Sequence, residues 1–171
     1  MHGSQAYENY PAWIVLGSNL LSISMYLIGA AILYQIGLIW VVLYVLFILL
    51  LELRLVKGHC TDCWYYGRTC AFGKGRLSCM FFPKGTPEHF SKRQITKKDL
   101  IPDFLVFLIP LLVGSALLIR DFSWILCILV ITLFILGSAG NAVVRGSIAC
   151  RYCKQREIGC PAQRLFERPE T

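Results

Sequence analysis

Charge is what this 171-residue chain has least of: Asp, Glu, Lys and Arg make up 16% of it, where about 25% is usual in a soluble domain. Histidine is scarcer still. Only His2, His59 and His89 occur, none inside a long apolar block, which excludes a bis-histidine haem within a membrane bundle. Carboxylates are missing from the middle of those blocks. Glu52, Arg54, Asp103 and Arg145 fall near their ends, within snorkelling reach of water, and proton-coupled transport is therefore not expected. No hydrolase elbow, phosphate loop, zincin helix or dinucleotide fingerprint is present. Gly73-Lys74-Gly75 is too short to cradle a phosphate and reads as a turn. Nothing here points to an enzyme, and any catalysis would have to rest on cysteine.

Apolar residues are abundant instead, at 56% with a mean hydropathy of +0.59. They concentrate in two blocks, Pro11 to Val56 and Ile101 to Val144. A spanning helix needs roughly 20 residues, so each block holds two spans and a tight turn. The turns fall near Tyr34-Gln35-Ile36-Gly37 and at Arg120-Asp121-Phe122. The expected fold class is an all-α integral membrane protein of four transmembrane helices, arranged as two parallel-repeat hairpins. A cytoplasmic N-terminus (1–10) precedes hairpin one (11–56). A cysteine-rich cytoplasmic loop (57–99), hairpin two (100–144) and a cysteine-containing cytoplasmic tail (145–171) follow. The first residues carry no Lys or Arg and the apolar run exceeds an h-region, so no cleaved signal peptide is expected.

Basic residues set the orientation. Ten of the seventeen lie between Arg54 and Lys98, six between Arg145 and Arg168, and one, Arg120, sits in the second hairpin turn. Positive loops stay in the cytoplasm, which places the loop, the tail and both termini there. The pI of about 9.1 then follows from topology, and nucleic acid is not an expected partner. The expected partners are the bilayer, whose anionic headgroups attract such loops, and a protein partner or a second copy of the chain. Two aromatic clusters beside basic residues, Trp64-Tyr65-Tyr66 and Phe81-Phe82, are expected at headgroup depth. Thr96 and Asp99 read as a capping-box variant opening the third helix. Pro102 lies in its first turn and Pro110 deeper, where a kink is expected.

An internal repeat is the most informative feature. Each hairpin is followed by C-x2-C-x6-C, first as Cys60, Cys63 and Cys70 in CTDCWYYGRTC, then as Cys150, Cys153 and Cys160 in CRYCKQREIGC. A shift of 90 residues superposes all three cysteines. A parallel repeat implies a pseudo-two-fold axis along the membrane normal, and such an axis would bring the knuckles together beneath the bundle. Seven of the eight cysteines lie on the predicted cytoplasmic side, where thiols stay reduced, so zinc is the expected cofactor.

Three ligand sets remain open. The doubled spacing resembles that of the fungal binuclear zinc-cluster DNA-binding domains, and Lys154 and Arg156 resemble their basic stretch between second and third cysteines. The resemblance covers about a dozen residues per copy and implies two zinc ions on six cysteines, two of them bridging. It implies no DNA binding, because two spans separate Cys70 from Cys150. In the second set, separate four-ligand sites recruit Cys79 and either His59 or His89. The third is an iron–sulfur cluster, although the compact C-x2-C-x2-C run is absent. Cys127, among Leu126, Ile128 and Leu129, reads as packing. The function expected is an accessory, assembly or adaptor subunit. The alternatives are a redox protein, through iron–sulfur or dithiol exchange, and a handler of soft metal ions.

Overall fold

A computed structural model of the chain describes residues 6–86, 90 and 97–160. The expected ligand His89, the capping residue Thr96 and the tail beyond Cys160 lie outside the described residues. The architecture is all-helical, with no strand among the described residues. Helix α1 (Ala12–Tyr34) and helix α2 (Leu38–Leu55) form one hairpin. A short helix α3 (Lys74–Phe81) follows, and then helix α4 (Lys97–Arg120) and helix α5 (Trp124–Ile135) form the second hairpin. Helix α6 (Lys154–Gly159) closes the described chain.

Four helical segments are long and apolar enough to cross a membrane: Ala12–Tyr34, Leu38–Cys60, Leu100–Arg120 and Trp124–Cys150. Their outer faces are covered by exposed Leu, Ile, Val, Phe and Trp, as a lipid-facing surface requires, so the chain is an integral membrane protein. The turns between them are short. Gly37 at φ 135° ends the first, a conformation open to glycine and strained for other residues.

Close packing holds the bundle together. Helix α1 touches α2, α4 and α5, while α4 touches α1, α2 and α5. One layer joins Met25 and Ile32 of α1 to Leu126 and Leu133 of α5. Another joins Leu33, Tyr44, Ile48 and Val106. Pro110 sits inside α4 and has no N–H for the carbonyl four residues back, that of Val106. Tyr44 supplies the missing donor: its hydroxyl donates to the Val106 carbonyl at 2.9 Å. A polar backbone group in hydrocarbon needs such a partner. Gly29 makes the contact possible, because a Cβ there would overlap the Tyr44 hydroxyl.

The second helix of each hairpin changes character near its end. After α2 the chain continues through π-helical turns at Val56–Cys60, and after α5 through Leu136–Gly140 and Ala142–Cys150. Each run stops at the first cysteine of a knuckle. Such widened turns often mark functional sites.

The candidate cysteine face

Both knuckles lie at the end of the bundle opposite the hairpin turns, and they share a core. Tyr10, Ile14, Tyr65, Ala71 and Ala149 are buried there, with Cys63, Cys70 and Cys153 packed against them. Charge on Cys60, Cys70 and Cys153 bears on Cys63, and charge on Cys150 and Cys160 bears on Cys153, so the two knuckles lie within electrostatic reach of each other. Burial pushes the Cys63 thiol up to about 12; the backbone N–H of Tyr65 opposes this, and Cys153, Cys60 and Cys70 add to it. Burial likewise raises Cys153 to about 11, opposed by the backbone N–H groups of Gln155 and Arg156. Thiols held this high are poor nucleophiles, and reactive cysteines have lowered values. Amide N–H groups directed at sulfur favour thiolate, the form a metal takes.

As a donor set, two groups of three thiols, all half-buried except the exposed Cys150, suit zinc or iron–sulfur ligation. The side chains do not form a finished cage: among the described residues no three Cys, His, Asp or Glu groups are arranged as ligands of one metal ion. His59 stands edge-on to the Phe90 ring, centroids 6.2 Å apart. Cys79 is exposed on α3, with the Tyr66 hydroxyl and Gly67 as its neighbours. Cys127 lies on α5 within a span.

What joins the halves is a strap of N-terminal tyrosines that the sequence pattern did not announce. The Tyr7 N–H donates to the Tyr152 carbonyl at 3.0 Å, and the Tyr10 N–H to the Thr69 carbonyl at 2.9 Å. The Tyr10 hydroxyl donates to the Ala149 carbonyl. The Tyr65 hydroxyl donates to the Tyr7 carbonyl at 2.6 Å and accepts from the Lys154 N–H at 3.0 Å. Residues 7–10 therefore touch both knuckles. A second tie is Gln155, only 2% exposed. Its Oε1 accepts the Trp64 N–H at 2.8 Å, and its Nε2 donates to the Gly159 carbonyl at 3.2 Å. The Trp64-Tyr65-Tyr66 cluster expected at headgroup depth thus has its central ring inside the face, Tyr65 being almost fully buried.

The loop is also better ordered than its glycines suggest. Gly73-Lys74-Gly75 opens α3, where Gly73 at φ 70° caps the helix. At Gly75 a Cβ would overlap the Tyr65 and Arg68 carbonyls, so glycine there permits close approach of the helix. Asn19 donates to the Val15 carbonyl of its own helix and reaches the loop at the Phe72 carbonyl, 3.4 Å away. Compared with known protein families, with curated proteins and with solved structures, the chain shows no significant match. Its function has to be read from the cysteine face.

Proposed function

We propose that this is a non-enzymatic membrane protein whose cysteine face is a structural zinc–thiolate centre, serving as an accessory, assembly or adaptor subunit. The observation that carries the reading is the meeting of the two knuckles. Segments with the same C-x2-C-x6-C spacing pack against one tyrosine core, which both Cys63 and Cys153 touch. Cys60, Cys63, Cys70, Cys150, Cys153 and Cys160 are the proposed ligands. Zinc would supply a redox-inert cross-link between loop and tail, of the kind small metal-stapled units use to fold. Helix contacts support a parallel repeat: α1 on α2 is matched by α4 on α5, and α1 on α5 by α2 on α4. Sixteen of seventeen basic residues accompany the cysteines, which supports a cytoplasmic cysteine face.

Anaerobic purification followed by elemental analysis tests the centre. Colourless protein with stoichiometric zinc is the expected result. Brown protein with iron and broad visible absorbance would move the reading to electron transfer, and metal-free protein would remove the centre altogether. Topology is tested separately, with a membrane-impermeant thiol reagent applied to intact cells after chelation. Cys63 and Cys153 should stay unlabelled. Labelling from outside would reverse the orientation.

A further inference from the structure

Helix α3 is built inside out. Its protein-facing positions are the small residues Gly75 and Ser78, both buried, while Leu77, Met80 and Phe81 are 45%, 77% and 68% exposed. Those three stand at i, i+3 and i+4, one stripe of a helix surface. Small residues against the protein and large apolar residues outward is the pattern of a helix that faces lipid.

Its start is held alongside the spans. Lys74 Nζ lies 2.5 Å from Glu52 Oε2, and the Tyr26 hydroxyl donates to Glu52 Oε1 at 2.9 Å. Glu52 is eight residues before the end of the span Leu38–Cys60, and Asn19, whose side chain reaches Phe72, is seven residues inside Ala12–Tyr34. At 1.5 Å per residue those two anchors lie roughly 10–12 Å inside the span ends, and Gly73 packs beside Val15, three residues inside Ala12–Tyr34, so the segment Phe72–Lys74 sits about 5–10 Å within the ends of the spans. Phe81 lies seven residues beyond Lys74, so a straight α3 carries it at most about 10 Å, which keeps the stripe within about 5 Å of those ends. The Arg145 guanidinium and the Lys74 ammonium lie 5.4 and 5.9 Å from the Phe72 ring, covering the dip with charge. Arg76 and Lys84, both exposed, flank the stripe and match anionic headgroups.

We infer that α3 is an interfacial anchor: the central loop re-enters the leaflet on the cysteine side at Phe72–Lys74, and Leu77, Met80 and Phe81 insert among its acyl chains. The occupant of this apolar stripe is lipid, and the cysteine face is thereby held against the membrane surface.

The test uses the full chain in vesicles of phosphatidylcholine and phosphatidylglycerol that carry a photoactivatable diazirine acyl lipid. Trypsin cuts after Arg76 and Lys84 and releases the peptide Leu77–Lys84. That peptide should carry lipid adducts at a yield comparable with peptides from the spans. Met80 should resist water-phase hydroxyl radicals as Met25, buried in the bundle, does. In the double variant Met80→Asp/Phe81→Asp the adduct yield on this peptide should fall several-fold while the span peptides keep theirs. A wild-type peptide free of lipid adducts, with Met80 oxidised readily from water, would overturn the inference and assign the stripe to a soluble protein partner.

Discussion

The membrane bundle and the cysteine face are held together by different physics. In the bundle, contacts between helices are almost entirely apolar, and the Tyr44–Val106 hydrogen bond repairs a gap left by Pro110. On the face, segments far apart in the chain are tied by side chains bonded to backbone: Tyr10 to Ala149, Tyr65 to Tyr7, Trp64 to Gln155. Dispersion and small-residue packing tolerate conservative change. A buried polar tie loses its full desolvation cost when one partner goes. The two regions should therefore fail separately.

The largest separation should come from a proposed ligand. A structural zinc site can contribute on the order of 10 kcal/mol of apparent folding free energy, so Cys63→Ser should release metal and open the face while helical content in the spans survives. Elemental analysis together with circular dichroism checks both halves of that statement. Loss of the whole fold along with the metal would mean that the regions are one cooperative unit. Next in size is Gln155→Leu, which leaves the half-buried Trp64 N–H without its acceptor, a cost of about 1 kcal/mol. Hydrogen exchange at the Trp64 amide should accelerate, and limited proteolysis should clip the tail near α6, with the spans unaffected.

How much of this was legible in the residues follows the same division. The four spans were, because each is a long apolar run broken by a recognisable turn at Gly37 or Arg120-Asp121. The repeated cysteine spacing was legible as a pattern in the residues. The tyrosine strap was not. Tyr7 and Tyr10 lie in a short segment with no helical or strand period, and their partners, Tyr152, Thr69 and Ala149, are set only by the tertiary fold. Nothing in the pattern around Gln155 marks it as a tie to Trp64, because that partner too is set by the tertiary fold. Helix α3 was missed for a sharper reason: Gly73 and Gly75 serve as a cap and a close-approach position, and either role resembles turn chemistry in isolation.

A change confined to the bundle should have a smaller effect and leave the metal alone. Tyr44→Phe deprives the Val106 carbonyl of its donor beside Pro110. Hydrogen bonds between membrane helices are worth on the order of 1 kcal/mol, so unfolding in mixed micelles should shift by about that amount with metal content unchanged. A larger loss would show that α4 needs this bond to pass the proline. Cys79→Ser belongs with it in cost, since Cys79 is exposed. Two zinc ions on six bridging cysteines require no loss of metal in that variant, whereas separate four-ligand sites require the loss of about half.

The smallest effect should come from Cys127→Ser. Cys127 stands in the first turn of α5, at the hairpin-turn end, and Cys150 ends the same span. Their separation of 23 positions corresponds to roughly 35 Å along a helix axis, far beyond the 2.3 Å or so of a zinc–thiolate bond. Its thiol, half-buried among apolar neighbours, behaves as a small hydrophobe with a weak donor. A serine hydroxyl at that position can bond to the carbonyl one turn back in its own helix, here that of Ser123. Stability should therefore change by no more than about 0.5 kcal/mol, and metal per chain should equal that of the wild type by elemental analysis. Should Cys127→Ser empty the centre, or should all six repeat cysteines tolerate serine with full metal, the repeated spacing has no bearing on metal, and bundle and face do not divide the labour as described.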